Sequence, residues 1–374
     1  MTVIASYDHY GCGMVIGDIL ITGPANSSKR RPSTHLPTLG NVSSTSDAPP
    51  GLLNPEQKVC IITDYCAIAW AGRLKHARQF ISRLARLSRR VEITVEVIGR
   101  LFVKYSEIKI VGAIYEDERL RTFGFDCEQI SCPTLGQIHA AGTGVSVIHE
   151  YVRTLRELHR PRPQENEIGA SAASIALSQV AHLLNAESRK GIAADSIKEF
   201  FGGGYEIAVF YEGKFNKLSA NFVFLDVSRR SGDLKIGNPA LVISQSYVGT
   251  TLRFRALSTR GPYDDRIKRN ETIEVPPLFA RAAKDSFPVI DPARYFTCFV
   301  FVDNFQFGGK ALISTVFISS SPPFKFSVVK SKLNIDYSIS AAQYNKEFLM
   351  RCYAGGSGRN HRQHRRGIKT AVRR

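Results

Sequence analysis

In the opening stretch MTVIASYDHYGCGMVIGDILITG, Thr2 stands directly behind Met1, at the mouth of an alternating apolar segment whose second arm ends near Asp18. A threonine hydroxyl is a poor nucleophile until a base removes its proton. A threonine at a chain terminus carries its own base, because an α-amine titrates near about 7.7–8.0, much closer to neutrality than a lysine at about 10.4. Thr is small enough for removal of Met1 to be physically plausible, so this stretch is compatible with a nucleophile that activates itself.

Strands must hold such a group in place. Apolar residues alternate or cluster in TVIAS, CGMVIGD, KVCIIT and CAIAWAG with turn residues between them, the pattern of short antiparallel strands. Residues 24–57, rich in Pro, Ser, Thr and Asn without periodicity, read as a flexible surface insertion that stays out of the core. After Gly72 the spacing turns helical: Leu74, Ala77, Phe80, Ile81, Leu84 and Leu87 share a stripe, and Val95, Ile98, Leu101 and Phe102 form a second. IKIVGAIYEDERLRTFGFDCEQI reads as two strands about the turn EDER, and AAGTG leads into a helix through Tyr151 and Leu155. A further helix covers about residues 170–186, and GGGYEIAVFYEGKFNKL returns to strands. Two antiparallel sheets with helices outside satisfy this order, an α+β class with a four-layer αββα sandwich over residues 1–218. Residues 219–354 predict a β-rich C-terminal domain without a recognisable motif, and residues 355–374 a basic, disordered tail.

In ordered spacing, the first 215 residues or so resemble the β-type subunits of the proteasome core and their bacterial relatives among the N-terminal nucleophile hydrolases. The resemblance implies that Thr2 is the nucleophile, that Asp18 in VIGD is the conserved aspartate, and that Thr22 in LITG aligns substrate. Lys58 leads what looks like the family's lysine strand, and Gly72 stands at the usual separation as the oxyanion glycine, where one N–H donor is worth on the order of 3 kcal/mol. A cationic Lys58 would disfavour protonation of the α-amine, and Asp18 would hold the ammonium in place. AAGTG resembles the family's GSG, so Thr143 stands where a serine is usual. The specificity pocket implied is apolar, formed by Leu20 or Ile21 with Cys60, Trp70 and Leu74; read without the resemblance, period-2 residues such as Cys60 and Trp70 are core. The family's last acidic member belongs near ADSIKEFFGGGYE, where nothing matches cleanly and Asp195 and Glu199 stand as candidates. The insertion 24–57 also departs from the family pattern.

The function implied is a threonine-type peptidase that cleaves amide bonds of a peptide or protein through an acyl-enzyme on Thr2, as a homo-oligomer and without a metal or organic cofactor. Two alternatives share the same residues: an amidohydrolase of small molecules, and a catalytically silent scaffold that binds protein or nucleic acid. Seven cysteines without a CxxC pair suggest neither a disulfide framework nor a zinc site, and fit a reducing cytoplasm. No apolar run is long enough to span a bilayer, so no membrane partner is expected. The net charge of +17, concentrated in the tail and in RLKHARQFISRLARLSRR, favours an anionic partner.

Overall fold

The computed structural model describes residues 2–22, 34–42, 52–53, 55–157, 162–190, 194–230, 233–261, 264–278, 295–303, 311–354 and 372–373. Its first element is the expected hairpin. Strands Val3–His9 and Cys12–Asp18 pair antiparallel with Ile4 opposite Gly17, and the two residues between them, Tyr10 and Gly11, both take positive φ (52° and 86°). A two-residue loop of this hand matches the right-handed twist of its strands.

The hairpin sits in the middle of a six-stranded sheet in the order Glu128–Cys132, Gly136–Gly142, Val3–His9, Cys12–Asp18, Tyr205–Tyr211 and Lys214–Lys217. A four-stranded sheet, Arg119–Phe125, Ile108–Glu116, Cys66–Gly72 and Val59–Thr63, faces it across a small-residue core of Ala67, Ala69, Ala113, Ala141 and Ala208 with Ile4 and Val59. Helices α1 (Leu74–Leu87) and α2 (Val95–Phe102) cover the outer face of the four-stranded sheet through Phe80, Ile81, Leu84 and Ile98, the stripes legible in the sequence. On the far face of the six-stranded sheet lie α3 (Val145–Glu157) and α4 (Ile168–Lys190).

The C-terminal half forms a nine-stranded sheet in which strand Ala220–Arg230 runs antiparallel to Asp233–Val248 and parallel to Tyr295–Asp303. Its alternation is clear: Phe222 and Phe224 face α4, while Val223 and Leu225 face α6 (Ile339–Ala354) with Tyr344 and Phe348. One core therefore runs without interruption from Val3 in the first strand to Val316 in the nine-stranded sheet.

Two expectations are corrected. The chain is not a four-layer αββα sandwich: its described residues are 50% strand and 27% helix, with several sheets that include a half-barrel. The physical reason lies in α4, which is covered by a sheet on more than one side. Ala172, Ala173, Ile175, Ala176, Leu177, Val180, Ala181 and Leu184 are buried over most of its circumference between the six- and nine-stranded sheets, and the polar Ser174, Ser178 and Gln179 are buried with them, so it is an interior layer. The second correction concerns the insertion. Within it, residues 34–42 form a short hairpin whose Leu36 is fully buried with Leu20, Ala194 and Ile197, so this part belongs to the core. The rest of the insertion lies mostly outside the described residues, as does the basic tail apart from Val372–Arg373, which pair with strand Ala311–Ser319.

Candidate functional site

Three strand ends bring Thr2, Asp18 and Lys58 together. Thr2 precedes strand Val3–His9, Asp18 ends the strand paired with it, and Lys58 precedes Val59–Thr63 in the other sheet. All three are buried, none more than 1% exposed. Thr2 Oγ1 donates to Asp18 Oδ1, and Lys58 Nζ donates to Thr2 Oγ1, to Asp18 Oδ1 at 2.7 Å and to the Leu20 carbonyl at 2.5 Å. The ammonium thus has an acceptor for each of its three protons. Asp18 Oδ1 also accepts from Val3 N at 3.0 Å, and Oδ2 from Gly202 N at 2.9 Å. Burial pushes the Lys58 ammonium below its ordinary range, and the charges of Asp18 and Glu206 pull it back.

The carbonyl of Thr2 is gripped from the other side by Gly144 N at 3.1 Å, in the turn after strand Gly136–Gly142. Gly142 takes a φ of 102° there, and a Cβ on it would collide with that carbonyl. Thr143 lies between these glycines, but its hydroxyl donates away from Thr2, to the Glu199 carbonyl at 2.6 Å. Gly72 is exposed at the end of its strand, two residues past Trp70, whose backbone N–H donates to the Lys58 carbonyl. It has a φ of 102°, and a Cβ would lie 2.3 Å from the Glu107 carbonyl, so the position is closed to other residues. Asp18, Lys58 and Gly144 supply the hydrogen bonds that hold Thr2; Gly72 is not one of its partners.

The expected pocket residues Ile21, Cys60 and Trp70 are buried in a single cluster against which Leu74 packs, and Leu278 from the C-terminal half is seated in the same cluster. They form packed core here. Thr22 is half-buried and pairs with Leu52. Asp195, at the start of the short helix α5 (Asp195–Lys198), and Glu199 are both exposed, and neither bonds to Asp18.

Two other acids occupy the interior. Glu187 of α4 accepts from Thr38 Oγ1 (2.9 Å), Ser196 Oγ (3.2 Å), Gly203 N (3.0 Å) and Tyr205 Oη (2.7 Å), and burial pushes its carboxyl up to about 7. Glu206 accepts from Lys58 N at 2.6 Å and Val59 N at 3.1 Å through Oε2, and pairs with Lys217 through Oε1. Sequence reasoning missed both, although each left a trace. Glu187 continues the helical stripe of Val180, Leu183 and Leu184, and Glu206 alternates with Ala208 on the face turned to the other sheet. A carboxylate on an apolar face signals a buried partner.

Among the described residues, no group of three or more His, Cys, Asp or Glu side chains could hold a metal ion, and no helix is long and apolar enough to cross a membrane. No family model matches the chain, and no curated protein matches it.

Proposed function

We propose that the chain is a threonine-type amide hydrolase whose nucleophile is Thr2 Oγ1 once Met1 has been removed. The supporting observation is the convergence of Thr2, Asp18 and Lys58, from three strands of two sheets, in one buried hydrogen-bonded cluster. In this reading the freed α-amine takes the hydroxyl proton as Oγ1 attacks a carbonyl carbon. The C–N bond breaks, the leaving amine receives that proton, and water activated by the same amine hydrolyses the ester on Thr2. Lys58, already held by Asp18 and Leu20, donates to Oγ1 and stabilises the negative charge that grows there. Seven cysteines that form no disulfide, most of them buried, suit a reducing compartment such as the cytoplasm.

The test combines intact mass, N-terminal sequencing and hydrolysis of peptide amides and small acyl-amides from pH 5 to 10. Thr2→Ala is expected to lose ~10³-fold or more in turnover and Thr2→Ser to retain part of it. The rate should rise with pH through one ionisation at or below about 7.7–8.0, because Lys58 stabilises the uncharged amine. Full activity in folded Thr2→Ala protein, or in protein shown to retain Met1, overturns the assignment.

One observation favours a second reading, a catalytically silent scaffold. Thr2 is only 1% exposed, and Gln57, next to Lys58, is tied to the nine-stranded sheet through the carbonyls of Thr250 (2.8 Å) and Val275 (2.9 Å). A retained Met1 with no hydrolysis of any amide would select it.

A further inference from the structure

We propose that Glu206 and Lys217, completed by Tyr247 of the nine-stranded sheet, are positioning residues for Lys58, which makes the C-terminal half a working part of the candidate site. This assignment rests on the reading of Lys58 as a working group of a hydrolase. The geometry behind it does not.

Strand Val59–Thr63 is the edge of the four-stranded sheet, so one side of its backbone has no neighbouring strand in that sheet. At its start the ladder groups are satisfied by a buried ion pair instead. The N–H groups of Lys58 and Val59 donate to Glu206 Oε2, and Lys217 Nζ donates to the Val59 carbonyl and to Glu206 Oε1. Lys217 is 1% exposed and Glu206 fully buried. Tyr247 closes the arrangement from strand Asp233–Val248: its hydroxyl donates to Glu206 Oε1 at 3.3 Å, and its ring centroid lies 5.4 Å from Lys217 Nζ. A carboxylate that accepts two consecutive backbone N–H groups fixes the position from which the Lys58 side chain departs.

Charge balance supplies the second half of the argument. Four buried ionic groups meet here, Lys58 and Lys217 against Asp18 and Glu206, so the cluster is neutral with both lysines protonated. The other groups facing it are the neutral Thr2 hydroxyl, Leu20 carbonyl, Tyr247 phenol and, behind Asp18, Tyr205 phenol, together with the α-amine of Thr2 once Met1 is removed, which is common to every variant compared. Removing one member of the Glu206–Lys217 pair leaves a net buried charge that Lys58 must answer. Loss of Glu206 favours the uncharged amine, and loss of Lys217 favours the ammonium. A backbone brace without an electrostatic role would move the lysine in neither direction.

The experiment is a pH titration of full-length protein carrying ¹³Cε-labelled lysine, with the Lys58 resonance assigned by its absence in Lys58→Arg. Glu206→Gln is expected to lower the Lys58 midpoint by about one pH unit or more and Lys217→Met to raise it by a similar amount. The double variant Glu206→Gln with Lys217→Met, which keeps the cluster neutral, should return it to within a few tenths of a unit of wild type. It also keeps the test open if a single variant does not fold. Midpoints that stay put, or that shift the same way in both single variants, overturn the proposal. The readout needs no substrate, so an absence of hydrolysis would count against the Thr2 reading and leave this result standing. If hydrolysis is present, the pH profile of turnover should move in the same opposed directions.

Discussion

Consecutive N–H groups just before strand Tyr205–Tyr211 hold two buried carboxylates whose other partners differ. Gly202 N donates to Asp18, which is paired with the Lys58 ammonium, whereas Gly203 N donates to Glu187, whose other partners are the hydroxyls of Thr38, Ser196 and Tyr205. Both acids are fully buried. Neutral donors stabilise a buried charge less well than a cation does, and burial therefore pushes Glu187 up to about 7. The number of hydrogen bonds does not by itself set the state of a buried acid: Glu187 accepts four, and burial still pushes its carboxyl up. A charge of opposite sign is what distinguishes the region around Thr2, and it is what a polar, ionised site requires.

The severest way to break this contrast is to remove the cation. Lys58→Met leaves Asp18 buried without its counter-charge and should cost about 3–5 kcal/mol in urea unfolding at pH 7. Adding Asp18→Asn should recover much of that loss. A cost below about 1 kcal/mol would mean that the backbone donors Val3 and Gly202 suffice for Asp18, as neutral groups must for Glu187.

The next effect comes from pH on the Glu187 side. Its folded value, about 7, lies above the ordinary 4.5, so the protonated form is the one the fold prefers. The stability this contributes is fully present below about pH 4.5 and is lost as pH rises through about 7. At about 1.36 kcal/mol per unit, the 2.5-unit difference amounts to roughly 3 kcal/mol as an upper bound. Unfolding free energies measured from pH 4.5 to 8 should fall accordingly, and Glu187→Gln should flatten that part of the profile. An unchanged slope in the variant would remove Glu187 from the contrast.

The smallest effect sharpens it. Thr38→Val deletes one neutral donor and should cost about 1 kcal/mol, because the Glu187 oxygen it served is fully buried. It should also move the Glu187 midpoint further up, since that hydrogen bond favours the charged form. The pH dependence of unfolding in this variant reads both quantities. The same substitution tests whether the hairpin at residues 34–42 is docked as its buried Leu36 indicates.

Much of the local structure could be read from the chain alone. The alternation in TVIAS and CGMVIGD, broken at Tyr10–Gly11, specifies a hairpin, and the stripes from Leu74 and Val95 specify helices with one apolar face, because each pattern depends only on neighbours a few residues away. Thr2, Asp18 and Lys58 could also be singled out by type and order, and the structure joins them. Thr143 could not be resolved in this way: its backbone neighbours grip Thr2 while its hydroxyl turns to Glu199.

What the tertiary structure alone decided was which surfaces would be covered. The residues from 219 onward read as a separate β-rich piece, yet folding lays them over α4, ties Gln57 to Thr250 and Val275, and brings Tyr247 to Glu206. The two acids the chain did not advertise, Glu187 and Glu206, owe their character to partners such as Thr38 and Tyr247 that lie far away in sequence. Periodicity marks the side on which a residue is buried, but the charge state of a buried group depends on what stands opposite, and that is settled only when distant strands are brought into contact.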